Sequence, residues 1–155
     1  MLNDNNFVFL GDYNINPILD YLNDNPDVWQ IEPIRVDNSD QYKVLNPSTN
    51  NKLKILLEPI LDQLKTQLGN NVMQSVVTLL PAGDHIIDHA DELQNAYRLH
   101  IPIITNDQVI FNCGGESKNM LPGQCWLFNH NKNHSIYNNG STDRIHLLVD
   151  FSTEA

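Results

Sequence analysis

From residue 72 to residue 151 the chain never holds a helical period, and that constrains its fold more than any other feature. Short runs rich in Val, Ile, Leu and aromatic residues occupy 72–80, 85–88, 97–105, 108–113, 124–129, 135–138 and 144–151. Turn signals separate them: Pro81-Ala82-Gly83-Asp84, Asn106-Asp107, Gly114-Gly115, Leu121-Pro122-Gly123 and Asn138-Asn139-Gly140. Such residues end extended runs because Gly and Asn tolerate positive φ and Pro cannot donate to a ladder. Seven or eight short strands at this spacing predict an antiparallel sandwich or barrel.

The first 71 residues read differently. Residues 7–10 form a short apolar run ended by Gly11-Asp12, an edge strand. Asn14 or Asn16 can cap a short helix over 17–22, with Pro17 in its first turn. Residues 28–36 alternate loosely as a strand that Pro33 confines to an edge, and 37–51 is a polar surface loop. Leu53, Leu56, Leu57, Ile60, Leu61, Leu64 and Leu68 recur at helical spacing up to Gly69, an amphipathic helix packed on a core. Pro59 kinks that helix or marks the start of its second half. The chain is thus expected to be one mainly β domain over 1–155, in which helices and edge strands of 1–71 cover a β core over 72–151.

Charge narrows the partners. A formal net charge of −10, with Lys and Arg totalling nine, argues against nucleic acid or an anionic membrane surface. Cys113 and Cys125 are too few for a disulfide framework and read as two small hydrophobes in a reducing compartment. The N-terminus lacks a basic stretch followed by a long apolar one, and no apolar run reaches membrane-spanning length. A soluble cytoplasmic protein is the expectation, with the oligomeric state left open.

Candidate chemistry begins at His89-Ala90-Asp91. In an extended segment the two side chains point to one side, and a distant imidazole would complete two His and one carboxylate on a metal. That set leaves coordination positions open, as in non-haem Fe(II) oxygenases. His134 is the best third ligand, since it begins a strand-like run after a polar loop; His85 and His130 compete. Arg98 and Arg144 sit in the β runs RLHIPI and RIHLLVD, each with a His two residues later on the same face. An inward guanidinium requires a partner, and its fork matches a carboxylate, so both arginines are candidates for holding a dicarboxylate. The alternative is that one or both face solvent or pair with Asp88, Asp143 or Asp150.

In this order, His-x-Asp, then Arg-x-His-x-Pro, then a second His with an Arg ten residues on, the chain resembles the aspartyl/asparaginyl β-hydroxylase family. Flanking stretches 123–128 (GQCWLF) and 134–138 (HSIYN) strengthen the likeness, which covers 75–151. These are Fe(II)- and 2-oxoglutarate-dependent dioxygenases built on a double-stranded β-helix, a jelly-roll or cupin-like fold. The resemblance implies that His89 and His134 bind iron and that Arg144 grips the distal carboxylate of 2-oxoglutarate, assisted by Thr78. It implies that Arg98 and His100 line the cosubstrate, and that O2 is consumed in hydroxylating a C–H bond with release of succinate and CO2.

Two departures matter. The animal membrane-bound member lacks a carboxylate two residues after the first His, whereas Asp91 stands here, so a full triad of His89, Asp91 and His134 is expected. Relatives often carry an acid after the Phe of the flanking motif, whereas this chain has Asn129, which leaves the support of the distal His open. The substrate is expected to be an aspartyl/asparaginyl-type residue in a peptide or a related free amino acid. Absence of a peptide-repeat domain or membrane anchor tilts towards a small molecule or short peptide. Two other readings compete: a non-catalytic cupin-like module holding a metal or acidic ligand, whose arginines and histidines would not converge, and a zinc hydrolase.

Overall fold

The computed structural model describes residues 2–31, 42–69, 71–91 and 95–153. Among the described residues eleven strands form two antiparallel sheets. In chain order the elements are β1 (Phe7–Asp12), α1 (Asn16–Asp24), β2 (Gln30–Ile31), β3 (Lys43–Leu45), α2 (Asn51–Leu68), β4 (Val72–Leu80), β5 (His85–His89), β6 (Ala96–Ile104), β7 (Val109–Cys113), β8 (Glu116–Lys118), β9 (Gln124–Phe128), β10 (His134–Asn138) and β11 (Arg144–Ser152). The larger sheet runs β1-β9-β6-β11-β4-β3-β2 and the smaller β5-β10-β7-β8.

The period-2 alternation of the large sheet decides where the core lies. Ile145, Leu147, Val149 and Phe151 of β11 join Val77 and Leu79 of β4 and Leu99, Ile101 and Ile103 of β6 in one apolar cluster, roofed by the two helices. Helix α2 supplies Leu53, Leu57, Ile60 and Leu64, spaced to fall on one stripe. Its start is fixed by Asn50, whose side chain accepts the Leu53 N–H at 3.0 Å, and its end by Gly69 at φ 67. The opposite face of the large sheet looks towards the small sheet, and Leu80, Ile86, Phe111, Phe128 and Ile136 close a second cluster between them.

Most strands fall where the sequence places them, and β4 matches its expected run to the residue. Three differences have physical causes. Helix α2 runs unbroken through Pro59, which lies on the exposed side where the missing N–H and the freed Ile55 carbonyl face water. Neither Asn14 nor Asn16 caps α1: Ile15 is the N-cap without a side-chain bond, and Asn14 Oδ1 instead accepts the Asn16 N–H at 3.1 Å. The polar loop expected over 37–51 contains β3, whose Val44 and Leu45 are buried against β4. Of the strand expected over 28–36, Gln30–Ile31 is extended and 32–36 lies outside the described residues, as does 37–41 of the loop. Strand β8, polar and three residues long, went unanticipated.

Gly123 shows how the turns brace the sheets. Its φ is +83, its N–H donates to Pro102 O at 2.9 Å, and its carbonyl accepts the Tyr13 N–H at 2.8 Å. A Cβ there would stand 2.9 Å from Tyr13 O, so only glycine fits. Among the described residues no helix is long and apolar enough to cross a membrane.

Replacing Leu57, fully buried in α2, with Ala is expected to cost about 3 kcal/mol of unfolding free energy. Ile55→Ala, on the exposed side of the same helix, is expected to stay within about 0.5 kcal/mol, both read by urea denaturation.

Candidate metal and anion site

The two histidines proposed as ligands are neighbours across the small sheet, where His134 of β10 pairs with His89 of β5. A register shift between His134 and Ile136 marks that end of the ladder, and the two rings stand 4.3 Å apart. Asp91 lies two residues past the end of β5, anchored by its N–H to His130 O at 2.8 Å. One donor atom from each of His89, Asp91 and His134 lies within 4.8 Å of the others, close enough to share an ion.

Both imidazoles are held by the backbone through Nδ1: His89 to Ile87 O at 2.8 Å and His134 to Lys132 O at 3.0 Å. A carbonyl can only accept, so Nδ1 carries a proton and Nε2 is the nitrogen presented to the cluster. The two Nε2 atoms accordingly face Asp91, at 3.6 Å from Oδ1 for His89 and 3.3 Å from Oδ2 for His134. His134 is oriented by the Lys132 carbonyl, while Asn129 braces the turn by accepting the Asn131 N–H and the Cys113 thiol. Burial would raise the Asp91 carboxyl, but its contacts with His134, Arg98 and His89 outweigh burial and hold it below the ordinary carboxylate value.

The competing histidines stand elsewhere. His85 stacks on Tyr137 with ring centroids 5.3 Å apart, and His130 contributes its carbonyl to Asp91 and its ring to Phe128. Neither belongs to the three-residue cluster.

Arg98 has an acidic partner after all. Its Nε and Nη2 form a fork on Asp150 at 2.8 and 3.0 Å, and Nη1 donates to Asp91 Oδ2 at 3.3 Å. The two residues face each other across the β6–β11 register, and Gln74 Nε2 steadies Asp150 at 2.7 Å. Of the three acids the sequence offered, Asp150 takes this arginine. Arg98 therefore clamps the Asp91 carboxylate and is not a free anion receptor, although it still lines the cavity.

Arg144 is different. At the start of β11 it is 1% exposed, Nη2 donates to Thr78 Oγ1 at 3.4 Å, and Nε and Nη1 have no hydrogen-bond partner among the described residues. Burial lowers its pKa to about 10, only partly offset by the Tyr42 hydroxyl beside it, so the group stays cationic at neutral pH. A buried, half-unsatisfied guanidinium is costly and calls for an anion. Tyr42 was hidden in the segment read as loop; its position one residue before β3 brings it to the site.

All seven residues singled out from sequence, Thr78, His89, Asp91, Arg98, His100, His134 and Arg144, line one cavity of about 800 Å³ between the sheets. Tyr42, Asn46, Ser48, Gln74 and Ser75 add polar groups, and Phe111, Phe128, Ile136 and Leu148 add apolar wall. His100 is buried, edge-on to Phe111 and Phe128.

The two antiparallel sheets facing each other across this cavity form a double-stranded β-helix, and solved structures of 2-oxoglutarate–Fe(II) oxygenases share the fold. A prolyl-4-hydroxylase from Pseudomonas putida superposes with a TM-score of 0.68 at 13% identity, covering 99% of this chain and 95% of that one. An oxidoreductase of the 2OG-Fe(II) oxygenase family from Burkholderia pseudomallei gives 0.71 at 12% identity, covering 99% and 88%. A viral collagen prolyl hydroxylase from Paramecium Bursaria Chlorella virus-1 gives 0.65 at 9%, covering 98% and 99%.

The sequence makes the assignment narrower. The family model described as aspartyl/asparaginyl beta-hydroxylase matches residues 27–154, and the chain belongs to that family. Aspartate beta-hydroxylase domain-containing protein 2 is 28% identical over 95 residues in both Mus musculus and Homo sapiens, a stretch covering 59% of this chain. That stretch is 28% of the mouse protein and 26% of the human one, so the likeness spans little more than a quarter of these relatives.

Arg144→Met replaces an under-paired buried charge by an apolar side chain of similar length. It is expected to raise the unfolding free energy of the ligand-free protein by about 1 kcal/mol in urea titrations, the sign opposite to that of a structural arginine.

Proposed function

We propose that this protein is an Fe(II)- and 2-oxoglutarate-dependent dioxygenase that hydroxylates a C–H bond of an aspartyl/asparaginyl-type or related amino-acid substrate. The observation that carries the reading is the pairing, on one cavity, of a three-donor cluster with an under-paired buried arginine. His89, Asp91 and His134 would hold the metal: two neutral imidazoles and one carboxylate suit Fe(II), and three protein donors leave positions for exogenous ligands. When bound, the iron with 2-oxoglutarate and O2 supplies the oxidising chemistry: the cosubstrate leaves as succinate and CO2, one oxygen atom entering succinate and the other the substrate C–H bond.

The chain's own residues do the remaining work. Arg144, with Thr78 and Tyr42 beside it, offers donors to the far carboxylate of the cosubstrate at a depth where a charge-assisted bond is strong. Arg98, locked on Asp150, fixes the Asp91 carboxylate so that it need not reorganise when metal arrives. His100 faces the cosubstrate from the cavity wall. Phe111, Phe128 and Ile136 keep bulk water from the reacting centre. Gln74, Ser75, Asn46 and Ser48 are polar groups available to a small molecule or short peptide.

A non-catalytic module was expected to scatter its arginines and histidines, and their convergence favours the enzyme reading. A zinc hydrolase gives the buried guanidinium no task.

Incubation with Fe(II), 2-oxoglutarate, ascorbate and a panel of aspartyl, asparaginyl and free amino-acid substrates is expected to release succinate. Anaerobic mixing of Fe(II) and 2-oxoglutarate should give a weak visible absorption band. No succinate with any substrate and no band would overturn the proposal. Arg144→Ala is expected to weaken 2-oxoglutarate at least tenfold, about the worth of one charge-assisted hydrogen bond, while metal affinity changes less than twofold. An equal loss of both would make Arg144 structural.

A further inference from the structure

His146 is a second buried imidazole on β11, two residues beyond Arg144, and no step above uses it. It is 1% exposed and pairs in register with Thr78 on β4 and Pro102 on β6. Its Nδ1 lies 2.9 Å from Nδ1 of His100, with the rings nearly perpendicular, and its Nε2 is buried with no partner among the described residues.

Two nitrogens can share a hydrogen bond only if one carries the proton and the other a lone pair. Burial first, and then the charge of Arg144, push both imidazoles well below their ordinary pKa, so both rings are neutral and each carries one proton. Two arrangements remain. If His100 Nδ1 donates, the His146 proton must sit on Nε2, leaving a buried N–H with nothing to bond. If His146 Nδ1 donates, its bare Nε2 is only an unused acceptor, and the His100 proton sits on Nε2, which is not sealed off without a partner as His146 Nε2 is and belongs to a ring that lines the cavity. A buried orphan N–H is the costlier defect, so the second arrangement prevails. With Nδ1 taken, Nε2 is the His100 nitrogen left to meet a ligand in the cavity that His100 lines.

We infer that His146 is a positioning residue: its Nδ1–H fixes the tautomer of His100 so that His100 presents an Nε2–H donor, not a lone pair, to an anionic ligand in the cavity. The anionic ligand rests on the function proposed above; the tautomer does not. A bare imidazole lone pair would repel a carboxylate oxygen, whereas an N–H in a water-poor wall attracts it without paying for a second buried charge. The fixed imidazole thus adds a neutral donor beside Arg144.

The test separates the two claims. Long-range proton–nitrogen NMR on metal-free protein labelled with 15N-histidine reads the tautomer of each ring directly. His100 is expected as the Nε2–H form and His146 as the Nδ1–H form; His100 as the Nδ1–H form overturns the inference, whatever the enzyme does. His146→Leu removes the donor, and His146→Asn keeps an N–H at the Nδ1 position. Calorimetric titration with 2-oxoglutarate in the presence of Mn(II) is expected to show roughly tenfold weaker binding for His146→Leu. Asn is expected to restore affinity to within about threefold of the unchanged protein, and Mn(II) binding alone should hold within twofold in both. Equal weakening by Asn and Leu would make His146 a packing residue and overturn the inference. Absence of 2-oxoglutarate binding in the unchanged protein, with the tautomers as expected, would refute the proposed function and the ligand role of His100 but not the tautomer assignment. Should His146→Leu fail to fold, the tautomer measurement and the Asn variant still decide.

Discussion

Strand β11 has to satisfy two environments at once, and the structure depends on how it does so. Every second residue, Ile145, Leu147, Val149 and Phe151, is pressed into the apolar layer under the helices. The alternate residues on the other face include a cation, an imidazole and a carboxylate, Arg144, His146 and Asp150, beside the aliphatic Leu148. A slip of one residue in the pairing with β4 and β6 would put those groups into hydrocarbon and the aliphatic ones into the cavity. Burial of one face therefore fixes the register of the other, and the functional geometry rests on the packing of side chains that never touch a ligand.

The polar face follows a consistent electrostatic logic. Charges that have a structural task are neutralised in place, as Arg98 is by Asp150 and Asp91. The imidazoles of His100 and His146 are kept neutral by depth. Arg144 is the charged group here whose Nε and Nη1 lack partners among the described residues, and it lines the same cavity. The cavity thus carries one under-paired cation deep in its wall despite a net charge of −10 over the chain.

Much of this was legible in the sequence because strand alternation and turn residues are local signals. His89 and Asp91, two apart, and the Arg-x-His pairs on β6 and β11 announce a shared face without any knowledge of which strands are neighbours. The partners of those faces are decided by sheet order, which is not local. Asp150 was one of three acids open to Arg98, and only the β6–β11 register singles it out. Tyr42 escaped because the strand beside it has three residues and sits in a polar context, so tertiary pairing overrides a weak local signal. His146 was visible as a residue but not as a partner of His100, since nothing in either run tells that the two strands lie side by side.

The contacts that build the cavity also set when it can come into being. His100 meets His146 across 46 positions of chain, Arg98 meets Asp150 across 52, and Arg144 meets Thr78 across 66. Each closes a long loop whose entropy must be spent before the contact repays it. A chain still emerging, or partly unfolded, carries every histidine and carboxylate of the site but no chelate. The three donors of the cluster come together only when β5 and β10 pair, and the Arg98 clamp on Asp91 waits for Asp150 of the last strand, β11. The order of assembly thus leaves the cluster unfinished until the fold is finished.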